Sequence, residues 1–404
     1  MKARVFYVVH YGEIALKGRN RGRFERALAR NLLKALGRLG HAKVHRLPGR
    51  LLVETEGDAA ATLEKVFGIE YFAEAVVARE GSYEAIREAL FSLAEPSAKR
   101  GPLSFKVEVK RAYKGFPLNS MQLASKLGEE LRAGFGWRVD LDSPELMFYV
   151  EVLKDLAILY TRKIRGPGGL PVGVTGRVLA LVSGGIDSPV AAWLLMKRGC
   201  ELGFLHFYAY PTAQEALEGK LAKILAKLSE YGAQGEVFLA PYHHYQLASL
   251  KASPGLELVL FKRFMLKVGA QLAQRRGYIA LATGDGLAQV ASQTLPNLIA
   301  QGHLLQVQVL RPLIAYDKKE IVELAKKIGT YELSLEPYRD CCSIIARHPE
   351  TRASAEELLL EEQKIGLEEV IAKTLEETEV YELKDGVLRP KGAKTRPLRP
   401  LPLE

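Results

Sequence analysis

The stretch "LVSGGIDSPVAAWLL", residues 181–195, closes an apolar run on Ser183-Gly184-Gly185-Ile186-Asp187-Ser188 and then opens an apolar segment at Pro189. The run before it, "VLALVS", has strand character, and "SPVAAWLLMKRG" after it has helical length and composition. A strand that feeds a glycine-bearing turn and then a helix aims backbone N–H groups and the positive helix end at one spot. That is an anion site. The paired glycines allow close backbone approach and positive φ angles, Pro189 suits a first helical turn, and the Ser183 and Ser188 hydroxyls add donors. Phosphate is the natural guest. The loop lacks the Gly-Lys-Ser/Thr of a Walker loop and the Gly-x-Gly-x-x-Gly of a dinucleotide fold, so neither of those is indicated.

Toward the C-terminus, apolar strand runs ("LGFLHFYAY", "GEVFLAPY", "YIALATG") alternate with helical segments ("AQEALEGKLAKILAKLSEYG", "LELVLFKRFMLKVGAQLAQRRG"). Continuous apolar strands separated by helices predict a parallel sheet covered on both faces. The segment "ATGDGLAQVASQT", residues 282–294, places Gly284, Asp285 and Gly286 at the end of one such strand. Ligands in open α/β sheets gather at that edge, so both glycine turns are expected to line one pocket. Residues 354–379 read as acidic helix, and "RPKGAKTRPLRPLPLE" as an extended or mobile basic tail.

Toward the N-terminus, "RVFYVVHYG" and "RLLVETEG" read as strands around a helix over "RFERALARNLLKALGRLG", a small α+β unit. Ser82 is placed to cap a further helix. An alternating strand in "SFKVEVK", a basic loop, a helix from about Asn119 to Ala133, and a hairpin turning at Lys154-Asp155 follow. Residues 165–177, "RGPGGLPVGVTGR", are dense in Gly and Pro and read as a linker.

At 404 residues, two or three domains are expected. No run of 18 uncharged apolar residues is present to cross a bilayer, and the N-terminus lacks a signal-peptide pattern, which together predict a cytoplasmic protein. The three cysteines, Cys200, Cys341 and Cys342, are too few for a disulfide framework, and no Cys-x-x-Cys suggests zinc or an iron–sulfur cluster. Cys341 and Cys342 lie in a polar stretch near Arg339, Arg347 and His348, cations that would raise the thiolate fraction. The net charge of +10 is uneven: residues 1–50 hold 13 Lys and Arg against Glu13 and Glu25. That imbalance favours RNA or DNA as partner over a membrane. Lys17, Arg19, Arg21 and Arg23 form one basic cluster, and Lys106, Lys110, Arg111 and Lys114 a second. Tyr113 or Phe116 is placed either to stack on a terminal base or to pack locally.

The loop resembles the SGGxDS pyrophosphate loop of the ATP pyrophosphatase superfamily. In order along the chain, "GEIALKGRNRGRFERAL", "FKVEVKRAYKGFPLNS", "TRKIRGPGGLPVG", "LVSGGIDSPVA", "TGDGLAQVASQT" and "PYRDCC" resemble the tRNA 4-thiouridine synthetase (ThiI) family over nearly the whole length. This resemblance implies an α/β fold. A parallel-sheet ATP pyrophosphatase (PP-loop, adenine nucleotide alpha hydrolase-like) domain is preceded by α+β ferredoxin-like and THUMP domains. The expected boundaries are 1–60 for the ferredoxin-like domain, 61–165 for THUMP, 166–177 for the linker, 178–390 for the PP-loop domain and 391–404 for the tail.

The implied reaction is adenylation of O4 of uridine 8 of tRNA with ATP and Mg²⁺, followed by persulfide sulfur transfer, and the resemblance also implies sulfur supply for thiamin thiazole synthesis. By position, the nucleotide would meet Leu181, Val182, Ser183, Gly184, Gly185, Asp187, Ser188, His206, Phe207, Lys262, Gly284 and Gln293. Asp187 would support Mg²⁺ or the loop itself; no further metal site is assigned. Cys342 aligns with the family's catalytic cysteine, and Cys341 would be a neighbour able to resolve a persulfide. Lys262 stands where an Arg is expected, "HFYAYPTAQEA" departs from the family's usual run, and "TGDGLAQ" replaces TGESLGQ. The sequence as it stands carries no rhodanese-like domain, so the expected sulfur source is a separate cysteine desulfurase or another small-molecule donor. A homodimer is also implied. The competing readings are a related PP-loop enzyme that thiolates another tRNA base, and a non-catalytic tRNA-binding protein.

Overall fold

A computed structural model describes residues 4–37, 39–99, 101, 103–337, 341 and 350–391. Cys342, Arg339, Arg347, His348 and the tail beyond residue 391 lie outside the described residues. The chain divides into two compact units, Met1–Gly169 and Leu170–Glu404.

In the first unit, nine strands form one sheet among the described residues. They are β1 (Val5–His10), β2 (Ala42–Leu47), β3 (Arg50–Thr55), β4 (Tyr71–Ala78), β5 (Ser104–Arg111), β6 (Arg138–Val139), β7 (Leu146–Val152), β8 (Ala157–Tyr160) and β9 (Ile164–Arg165). β4 is continuous across two halves: it pairs with β1 through Tyr71–Ala75 and with β8 through Val76–Ala78. Helix Arg21–Leu36 buries Leu28, Leu32 and Leu36, the spacing of one apolar stripe. Helices Tyr83–Ala98 and Ser120–Phe135 pack Leu90, Leu127 and Leu131 into one core with Phe105 and Phe148 of the sheet. Ser82 caps the first of these, accepting from the Ala85 N–H, and Asn119 with Gln122 closes a capping box on the second. Buried Glu151 on β7 accepts from Tyr160 at 2.9 Å and pairs with His10 of β1 at 2.9 Å and with Arg50 of β3. The two halves are thus joined by charge as well as by β4.

The second unit is built on seven strands, ordered β14-β13-β10-β11-β12-β15-β16. These are β10 (Gly176–Leu181), β11 (Cys200–Tyr208), β12 (Gly235–Pro241), β13 (Ala280–Ala282), β14 (Gln308–Leu310), β15 (Glu379–Lys384) and β16 (Val387–Pro390). β10 to β14 run parallel, as the apolar runs predict, and an antiparallel hairpin, β15–β16, extends the sheet beside β12. That hairpin was not legible in a segment read as acidic helix followed by tail; the helices are Ala355–Ile365 and Leu367–Glu377, and the strand begins at once after them. The helix expected over "AQEALEGKLAKILAKLSEYG" is broken at Gly219, whose ψ of −161° is not helical. The glycine-rich join is also no free spacer. The Gly166 and Gly168 N–H groups donate to the carbonyls of Glu70 and Ile69 in the first unit, while those of Gly173, Val174 and Thr175 donate to Gly199 in the second.

Candidate active site

The chain runs from β10 outward through β11 and β12, then returns to lay β13 and β14 on the other side of β10. The reversal lies between β10 and β13, where Ala180 pairs with Ala282, and the ends of these strands are where a crevice is expected. A cavity of about 670 Å³ occupies that edge.

One wall is the loop after β10. The Val182 N–H still pairs with Leu205, after which the chain turns into helix Asp187–Lys197. The loop is held by its own hydroxyls: Ser188 Oγ accepts from the Ser183 N–H at 2.9 Å, and Ser183 Oγ accepts from the Gly185 N–H at 3.2 Å. Ser334 Oγ donates to the Gly185 carbonyl from beneath at 3.4 Å. Neither Gly184 nor Gly185 has a positive φ, so the freedom that glycine allows is not used in that way here. At Gly185, a Cβ would lie 3.3 Å from Ser183 Oγ, so close approach is the feature glycine provides there. The helix start has no side-chain cap, and Gly185, Asp187 and Ser188 line the cavity there. Lys318 Nζ lies 2.5 Å from Asp187 Oδ1, and both side chains keep contact with solvent.

The opposite wall is the loop after β13. Gly284 is required here: a Cβ would stand 2.7 Å from the Ser188 backbone nitrogen, so the two loops touch only because this residue has none. Asp285 is fully buried. Thr283 Oγ1 donates to it at 2.6 Å, Gln293 Nε2 at 3.3 Å, and Lys262 Nζ and Arg311 Nε each lie 3.6 Å away. Burial alone would push this carboxyl up; Lys262, the Thr283 hydroxyl and Arg311 outweigh it and hold the carboxyl below its ordinary range. Arg311 keeps two buried nitrogens, Nε and Nη2, without a hydrogen bond among the described residues.

The third wall is apolar, formed by Leu258, Phe261 and Met265 on helix Glu257–Arg276 together with Phe207. His206 is buried and its Nδ1 is 2.7 Å from the Val182 carbonyl. Cys341 is buried at the cavity lining, where its thiol donates to the Phe207 carbonyl at 3.5 Å. Cys200, by contrast, is buried away from this lining, and burial pushes its thiol up. Of the twelve residues expected around the nucleotide, all but Gly184 line the cavity. Sequence reasoning missed Lys318, Arg311, Thr283 and Ser334 as parts of this site.

The basic candidates of the first unit divide into two groups. Lys17 pairs with Glu13, Arg21 with Glu25 and the Tyr11 hydroxyl, and Lys106 and Arg111 donate to backbone carbonyls of Leu141 and of Phe116 and Leu118. Arg19, Arg23, Lys110 and Lys114 are exposed, Lys110 lying 3.8 Å from Glu108. Phe116 is in the core, so of the two aromatic candidates only Tyr113 is accessible.

The family model described as thiamine biosynthesis protein (ThiI) matches residues 173–367, the ThiI ferredoxin-like domain matches 6–73 and the THUMP domain matches 80–162. A relative from Caldanaerobacter subterraneus subsp. tengcongensis, named "Probable tRNA sulfurtransferase", is 38% identical over 92% of this chain and 98% of its own length. The chain belongs to the ThiI family. A second relative of the same name, from Moorella thermoacetica, is 38% identical over 92% of this chain and 96% of its own. A 4-thiouridine synthetase solved with RNA and bound ATP is 34% identical, covers 95% of this chain and 100% of its own, and superposes with a TM-score of 0.86. The ThiI fold therefore comprises ferredoxin-like, THUMP and PP-loop parts in that order. No helix among the described residues is long and apolar enough to cross a membrane.

Proposed function

We propose that this ThiI chain is a tRNA sulfurtransferase that converts uridine 8 of tRNA to 4-thiouridine at the expense of ATP. The observation that carries this reading is the joining of the Ser183–Ser188 loop and the Gly284–Asp285 loop in one cavity at the sheet's switch point. The match of nearly the whole chain to proteins named for that activity supports it. The adenine ring rests against the Phe207 and Phe261 wall, and the β and γ phosphates enter the loop, where the helix N-terminus and backbone N–H groups hold them. The fixed charges named at the cavity are Lys318 and Lys262 against Asp187 and Asp285, backed by Arg311. A polyphosphate thus meets Lys318 once that lysine leaves Asp187. The partly exposed Asp187 carboxylate fits the oxygen chemistry of Mg²⁺, which when bound offsets polyphosphate charge.

Uridine O4 attacks the α-phosphorus and pyrophosphate departs, leaving O4 joined to AMP. The terminal sulfur of a Cys342 persulfide then attacks C4, and AMP leaves with the oxygen. Attack of the Cys341 thiolate on the Cys342 sulfur frees the thiocarbonyl and forms a disulfide, which a dithiol reductant resets. The proposal includes a cysteine desulfurase as sulfur donor, a homodimer, a cytoplasmic location, and RNA contacts through exposed Arg19, Arg23, Lys110 and Lys114.

The test is to incubate the chain with tRNA, ATP, Mg²⁺, a desulfurase and cysteine and to map sulfur by nucleotide position. Sulfur at position 8 is expected. Sulfur at another base selects a different PP-loop thiolase, and tRNA binding without pyrophosphate release selects a non-catalytic protein. Replacing Cys342 with Ser should leave pyrophosphate release and stop thiolation.

A further inference from the structure

A second group of chemistry-bearing side chains lies outside the nucleotide cavity. Helix His243–Ser249 starts just after β12, and helix Leu367–Glu377 ends just before β15, the antiparallel neighbour of β12. This brings His243, His244 and Glu377 together, with one ligand atom from each inside a span of 4.8 Å. His244 Nε2 is 3.1 Å from Glu377 Oε1, and His243 Nε2 is 3.5 Å from Glu377 Oε2. None of the three lines the nucleotide cavity.

We propose that His243, His244 and Glu377 bind a zinc-class divalent cation that clips the start of one helix to the end of the other. Two imidazoles and one carboxylate are a borderline donor set, suited to zinc, nickel or copper, whereas magnesium and calcium call for oxygen ligands throughout. For bonds of about 2.0–2.1 Å, the edge of a tetrahedron is about 3.3 Å, and each histidine nitrogen lies near that distance from one Glu377 oxygen, His244 from Oε1 and His243 from Oε2.

A plain ion pair explains the group less well. His244 Nε2 is buried and makes no hydrogen bond among the described residues, although the carboxylate oxygen is only 3.1 Å away. The oxygen is near but not in line with an N–H, as two ligands of a shared ion would be. The two histidine rings are 4.0 Å apart, a poor arrangement for two cations and an acceptable one for two neutral ligands. His243 and Glu377 are each about half-exposed, at 53%, which leaves an entry path and room for water as a fourth ligand. The clip would also bear on the nucleotide wall: the ring of Tyr242, next in the chain, meets Phe261 with centroids 5.1 Å apart.

The full chain, stripped with EDTA and dialysed, is titrated calorimetrically with zinc sulfate in excess Mg²⁺, beside the variants H243A/H244A and E377Q. The parent should bind an ion whose X-ray absorption shows a first shell of nitrogen and oxygen only. It should also gain thermal stability from zinc. In H243A/H244A that binding should weaken by more than the roughly 10–100-fold that loss of an outer-shell partner costs, and the thermal gain should vanish. E377Q keeps the shape of the site, guards against misfolding of the double variant, and should weaken binding in the same direction. Equal zinc affinity in all three proteins, a first shell of sulfur alone, or no binding by the parent above Mg²⁺ would overturn the proposal.

Discussion

The loops after β10 and β13 leave adjacent parallel strands side by side, yet they carry their carboxylates in opposite ways. Asp187 pairs with Lys318, which is more than half exposed, and stays in reach of solvent. Asp285 is sealed between Lys262, Arg311, Thr283 and Gln293. The first arrangement can exchange its partner for a ligand at small cost. The second is a fixed post that orients the cations around it. One crevice thus combines a rigid side and a responsive side, and each can be broken separately.

The largest effect on stability is expected at the rigid side. Asp285→Ala leaves Lys262 and Arg311 near one another with their shared buried anion gone, and breaking a buried pair in this way costs about 3–5 kcal/mol. Urea unfolding followed by circular dichroism would read this; a midpoint close to that of the parent would mean that Asp285 is not the post described. The same residue sets a pH signature. Its folded-state carboxyl lies below the ordinary 3.8, so its contribution is present above that value and is lost as pH falls through the lower folded value. Acid unfolding of Asp285→Asn should therefore be flatter below pH 3.8 than that of the parent, and parallel curves would remove the assignment.

Next in size is the contact between the two loops. Gly284→Ala places a methyl group 2.7 Å from the Ser188 nitrogen, backbone against backbone, with no flexible side chain to yield. A cost of about 1–3 kcal/mol is expected, together with weakened ATP binding because the pyrophosphate loop must shift. Unchanged ATP affinity by equilibrium dialysis would show that the loops are independent.

Much of this was readable from sequence because the informative signals were local. Ser183 to Ser188 and Thr283 to Gly286 each lie at a strand end, and parallel topology forces strand ends onto one edge. Lys318 lies 131 residues from Asp187, and nothing in its type announces the contact. One hint existed. It is the first residue of a helix capped by Asp317, a place where the helix dipole disfavours a cation. Arg311 follows the three-residue strand β14, too short to register as a periodic signal. The β15–β16 hairpin was hidden because "EVYELK" and the four-residue "VLRP" are too short and too irregular to show a clear period of two, and they follow an acidic helix with no break in composition between them.

The smallest effect on stability, and the sharpest test of the contrast, belongs to the responsive side. Asp187→Ala removes a pair whose lysine is more than half exposed, and such pairs contribute about 0–1 kcal/mol. The urea midpoint should hardly move, while ATP-dependent pyrophosphate release should be lost. Lys318→Met should match it in stability and also lose release, because the proposal has the lysine pass from the carboxylate to the polyphosphate. If Lys318→Met instead released pyrophosphate at the parent rate, the ion pair would be a surface ornament and the contrast between the two loops would reduce to burial alone.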